Sequence, residues 1–111
     1  MNYEFGDIIL VDFPFSSNLG VKKRPAVVIS SGEFNTTKPD LVMMAITSKI
    51  DNLAMIGEAK IKNFKTAGLL KESAFKSVIF TIEKQIIYKT LGKLDSYDLL
   101  NLKKCLSEII T

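Results

Sequence analysis

The stretch Arg24-Pro25-Ala26-Val27-Val28-Ile29-Ser30-Ser31, with Leu41-Val42-Met43-Met44-Ala45-Ile46-Thr47 after it, decides the fold. Both apolar runs, Pro25 to Ser31 and Leu41 to Thr47, are too short for a buried helix and rich in Val, Ile and other strand-forming residues. The polar segment between them holds Gly32, Asn35, Thr36, Thr37 and Pro39, residues that turn the chain. If the two strands pair antiparallel, the start of one lies beside the end of the other. That register brings Lys22-Lys23-Arg24 to Thr47-Ser48-Lys49.

Working outward, Asp7 to Phe13 follows Gly6 as an apolar strand that Pro14 ends. Phe15 to Val21 carries small, turn-forming residues and reads as a mobile loop. Ser48 to Ala54 reads as a turn or short helix, and Met55 to Ile61 as a half-exposed strand. Gly68 breaks the chain, Lys76 to Ile82 supplies a fifth strand, and Ile86 to Leu91 a sixth. Only the tail is helical. Asp95 and Ser96 suit an N-cap, Asp98 sits where the helix dipole favours an acid, and Leu99, Leu102, Leu106 and Ile109 recur at helical spacing as a core stripe. Many short strands and one terminal helix predict an α+β, mainly β fold: a small antiparallel barrel with a C-terminal helix.

The 111 residues fit one domain, 1–111, with a single core. There is no apolar run long enough to span a membrane. The N-terminus lacks the basic start and apolar stretch of a signal peptide, so a cytoplasmic location is expected. Cys105 is the one cysteine, so no internal disulfide can form. The chain has no histidine, which excludes Ser-His-Asp and Cys-His catalysis, histidine-based ribonuclease chemistry and His-rich zinc sites. No cofactor is expected. A net charge of +3 with a pI near 9.0 suits nucleic acid or an acidic protein as partner.

Against fourteen lysines there is a single arginine, Arg24. Composition alone makes it an ordinary surface charge. Yet only arginine offers a planar fork of donors able to hold a phosphate bidentately. With Thr47 and Ser48 opposite and Lys22 and Lys23 beside it, the cluster suits a phosphodiester, although Thr-Ser capping the next turn would produce the same spacing. The run from Lys60 to Lys65 interleaves basic residues with Phe64, as RNA-binding surfaces do and as alternation on a half-exposed strand also does.

The ordered set Gly6-Asp7-Ile8-Ile9-Leu10-Val11-Asp12-Phe13-Pro14, Arg24-Pro25-Ala26-Val27-Val28-Ile29-Ser30, Phe34-Asn35, Ile46-Thr47-Ser48, Ala67-Gly68-Leu69-Leu70, Thr81-Ile82-Glu83-Lys84 and Gly92-Lys93-Leu94 resembles the MazF/PemK-type toxins of toxin–antitoxin systems. The resemblance spans nearly the whole chain. It implies an SH3-like barrel, a homodimer, metal-independent cutting of single-stranded RNA, and a cognate antitoxin as partner. It implies catalytic roles for Arg24 and Thr47, substrate contacts from Ser48, Lys22, Lys23, Phe13, Asn35 and Glu83, and a backbone role for Gly6. The chain departs from the family pattern at Phe5 and Phe80, where many members carry a basic residue, and at Glu83, where aspartate is usual. Phe80 reads as a core residue before a base-stacking one. Two other readings share the fold and stay open here: a CcdB-type toxin that poisons DNA gyrase by protein contacts, and a non-catalytic SH3-like binding module.

Overall fold

The computed structural model describes residues 2–13, 22–51, 53 and 56–110. The expected loop from Phe15 to Val21, Pro14 and Met55 lie outside the described residues. Six strands, β1 (Asp7–Phe13), β2 (Lys22–Val28), β3 (Asp40–Thr47), β4 (Ala59–Lys60), β5 (Ala74–Glu83) and β6 (Ile87–Lys93), form one antiparallel sheet in the order β4-β5-β3-β2-β1-β6. Two helices complete it, α1 (Gly32–Thr37) and α2 (Ser96–Ile109).

Period two divides the apolar side chains between the faces of the sheet. Ile8, Val27, Met44, Ile46 and Phe75 face Leu102 and Cys105 of α2, while Ile9, Val11, Ala26, Val28, Leu41 and Met43 form a second buried cluster on the other face. Phe80 and Ile82 of β5 and Ile87 of β6 all pack against that second cluster, although three strands separate β5 from β6. The sheet must therefore curl round on itself. The expected barrel takes the form of a coiled sheet with β4 and β6 at the two ends of its order. Phe80 is half-buried there and belongs to the packing.

One edge of the curl is held by close backbone approach. A Cβ on Gly68, whose φ is +85°, would lie 2.2 Å from the Leu91 carbonyl oxygen, and one on Gly92 would lie 2.6 Å from that of Ala67. Only glycine at both positions lets the 67–71 segment cross β6 so closely. Gly6 meets the same requirement at φ +93°, where a Cβ would strike the end of Leu99.

Four sequence expectations shift. The polar link between the first two quoted runs contains α1, whose N-cap Ser31 accepts a hydrogen bond from the Phe34 backbone N–H. Strand β2 starts at Lys22 and stops at Val28, because Ser30 turns away to accept the Val42 N–H and to bond the buried Asn35. The half-exposed strand expected to end at Ile61 is only Ala59–Lys60 among the described residues. On α2, Leu102 and Cys105 are buried, Leu99 and Leu106 half-buried, and Ile109 exposed, so the core stripe fades toward the C-terminus. Burial, with the Glu108 charge adding to it, pushes the Cys105 thiol above its ordinary value of 9.0.

Candidate functional site

The antiparallel pairing of β2 with β3 is the element that builds the site. Their ladder runs Val28↔Met43, Val27↔Met44 and Ala26↔Ala45. Carried two residues further along the same register, it sets Arg24 across from Thr47. The ladder stops before that point because Pro25 has no N–H to donate. On its other side Arg24 pairs with Val11 of β1.

A broad open groove of about 1380 Å³ lies over these strand ends. Leu10, Pro25, Ile46, Leu69 and Leu91 supply an apolar floor, and Thr47, Ser48, Ser73 and Thr90 bring hydroxyls to it. Among the described residues, Arg24 and the lysines at 22, 23, 49, 71, 76 and 89 line it, seven cations and no carboxylate. The arrangement concentrates positive charge far beyond what the net +3 of the chain suggests.

Arg24 is exposed, and among the described residues no acceptor is paired with its guanidinium. Lys23 is less free. Its ammonium lies 3.6 Å from Asp12 Oδ1 and 4.7 Å from the centroid of the Tyr88 ring. Thr47 Oγ1 accepts the Lys49 backbone N–H at 3.1 Å, which pins the turn after β3. A hydroxyl has two acceptor positions and one proton, so the Thr47 O–H keeps its donor for another oxygen.

Lys71, Lys76 and Lys89 are the groove cations that sequence order did not bring to this cluster. Lys76 arrives through a bulge: between Met44↔Ile79 and Ile46↔Phe75, one residue of β3 faces Lys76, Ser77 and Val78 of β5. The irregularity turns Lys76 and Val78 toward the groove, as bulges re-aim side chains. Lys89 reaches it beside Leu10, its partner across β1 and β6.

Two expected contacts lie elsewhere. Asn35 is only 2% exposed, and its side chain is committed to the interior: Nδ2 donates to the Tyr3 and Ser30 carbonyls at 2.9 and 3.1 Å, and Oδ1 accepts from the Ser30 hydroxyl. It ties the N-terminal segment to α1 and has nothing left for a substrate in the groove. Glu83 pairs with Asp40 at the opposite end of β3 from Thr47 and accepts from the Gln85 side chain. Seven residue steps of strand put those ends about 23 Å apart. Phe13 ends β1 opposite Lys22, and its side chain lies outside the described residues.

Residues 4–110 match the sequence family of PemK-like, MazF-like toxins of type II toxin–antitoxin systems. No curated protein sequence matches the chain. Among solved structures, an endoribonuclease in complex with its cognate antitoxin, from a mycobacterial species, superposes with a TM-score of 0.76 at 14% identity, covering 95% of this chain and 91% of its own. The Mycobacterium tuberculosis toxin MazF-mt6 gives 0.73 at 15% identity, with 91% and 92% covered. A MazE–MazF complex from Deinococcus radiodurans gives 0.77 at 13% identity, with 99% and 96% covered. At such identities the likeness is one of fold.

Proposed function

The chain belongs to the PemK-like, MazF-like toxins of type II toxin–antitoxin systems, and we propose that it acts there as an endoribonuclease on single-stranded RNA. The observation that carries this reading is the groove itself: among the described residues, seven cations and no carboxylate line it over the strand ends that carry Arg24 and Thr47. A polyanion is the ligand that such a lining favours.

The chemistry follows from what the groove offers. The RNA's own 2′-hydroxyl is the nucleophile, and the protein's task is to align it with the scissile phosphate and stabilise the charge that develops. Arg24 supplies a bidentate clamp on the non-bridging oxygens. Thr47, which accepts the Lys49 N–H, keeps its proton to donate to one of the same non-bridging oxygens. Arginine's pKa, above about 12, suits it to charge stabilisation and not to proton abstraction. Attack forms the 2′-O–P bond and breaks the P–O5′ bond; the 2′-hydroxyl gives its proton to solvent water and the leaving 5′-oxygen takes one from it, which leaves a 2′,3′-cyclic phosphate and a 5′-hydroxyl with no metal required. Ser48 and Lys22 hold the flanking strand. Lys23, shared with Asp12 and Tyr88, contributes mainly to the field. A cognate antitoxin, a partner of the kind the mycobacterial endoribonuclease is bound to, restrains the activity in the cytoplasm, and the working form is a homodimer.

The test is incubation of purified protein with a long RNA in EDTA, followed by mapping of fragment ends. Discrete cuts bearing 5′-hydroxyl ends are expected. Intact RNA beside inhibited DNA supercoiling would overturn the reading in favour of a gyrase-directed toxin.

A further inference from the structure

The basic and aromatic run from Lys60 to Lys65 does not enter the main groove, and the structure places part of it around a second cleft. This cleft, about 280 Å³, is lined by Lys60, Lys62, Phe64, Glu72 and Tyr97 over a floor at Ile61. It backs directly onto the groove. Lys71 and Ser73 line the groove, while Glu72 between them lines the cleft. One strip of chain is thus the shared wall, and Leu70, 97% exposed, stands beside it at the groove.

The cleft has the parts of a single-strand binding platform and is held in shape before any ligand arrives. Tyr97, half-exposed on the first turn of α2, has the Lys62 ammonium 4.6 Å from its ring centroid. Phe64 is anchored against the core. The turn that carries Lys62 and Phe64 is fixed by the fully buried Asp98, whose Oδ1 and Oδ2 accept the backbone N–H groups of Lys62 and Asn63, each at 2.9 Å. Lys60 meets Glu72 at 3.2 Å, but both are more than half exposed, and an ion pair of that kind yields readily to a phosphate.

We propose that this cleft is a second contact for the RNA strand, taking an unstacked base on the Tyr97 ring beside Phe64, with Lys60 and Lys62 on the adjoining phosphates. The proposal rests on the RNA-cutting reading of the groove. Stacking on a fixed aromatic is tolerant of base identity, so the cleft adds affinity for longer strands. The size suits one planar base, at the low end of small-molecule sites.

The experiment measures binding of 2′-O-methyl RNA, which cannot supply the nucleophile, as a tetramer and as a dodecamer carrying a fluorescent purine analogue. Tyr97→Leu and Lys62→Gln should each weaken the dodecamer about tenfold and leave the tetramer unchanged. The quenching of the purine by stacking should disappear in Tyr97→Leu. Both side chains are exposed, and circular dichroism melts check that the variants fold. Unchanged dodecamer affinity in both variants, with the wild type binding both lengths, overturns the second contact and leaves the groove reading intact. A wild type that binds neither length removes the RNA reading, and the second contact with it.

Discussion

Replacing Arg24 by lysine separates the charge of the groove from the geometry of the clamp. The perturbation keeps the cation and removes the planar fork. Arg24 is exposed and has no paired acceptor among the described residues, so folding stability should move by no more than about 0.5 kcal/mol. Six lysines still line the groove, so RNA affinity should fall only modestly. The transition state loses more. A donor aimed at developing charge is worth about 2.7–4 kcal/mol, which at 1.36 kcal/mol per decade is a loss of about 100- to 1,000-fold in the cleavage step. Single-turnover cutting of RNA in EDTA measures that step, and a thermal melt measures the fold. Lys22→Gln is the control: it removes a neighbouring charge without touching the fork, and should act mainly on binding and its salt dependence. Arg24→Lys cutting within about threefold of wild type would refute the clamp. So would a loss of cutting matched by a large drop in melting temperature, because the residue would then be structural.

Asn35→Ala should lower stability by about 2 kcal/mol, since it removes one partner each from the buried Ser30 carbonyl and hydroxyl and from the half-buried Tyr3 carbonyl, and a urea titration reads it. Gly68→Ala forces a Cβ against the Leu91 carbonyl in a left-handed backbone conformation, so a loss of about 2–4 kcal/mol is expected, with RNA cutting impaired because Leu69 to Lys71 form a groove wall. The raised Cys105 thiol makes a contribution that is fully present below pH 9.0 and is lost as pH climbs toward the folded-state value, because the unfolded chain ionises first. Cys105→Ala, although less stable overall, should therefore show a shallower alkaline decline than wild type in chemical denaturation above that pH.

How much of this was legible in the sequence depends on what kind of signal placed each residue. That Arg24 and Thr47 share one groove was readable because antiparallel pairing of the two apolar runs puts the start of one beside the end of the other. The helical tail was readable from its cap and spacing, with Asp95 the N-cap as expected. Asn35 and Glu83 show the limit of order along a chain. Both stand where the family pattern puts them, but one is consumed by the interior behind α1 and the other lies a full strand length away. Proximity in a motif is not proximity in space.

Lys71, Lys76 and Lys89 were invisible for a different reason. Whether Lys76 faces the groove is set by a bulge in β5, and whether Lys71 does is set by two glycines that let its segment cross β6. Neither event leaves a periodic trace, because a bulge breaks the alternation from which strand faces are read. A net charge of +3 describes a mildly basic chain; among the described residues the fold draws seven cations into one groove and no carboxylate into its lining. The local field that a phosphodiester would meet is therefore a property of topology. On the proposed function one arginine then suffices: lysines from β2, β5, β6 and the connecting turns supply the charge, and the single fork would have only to supply direction.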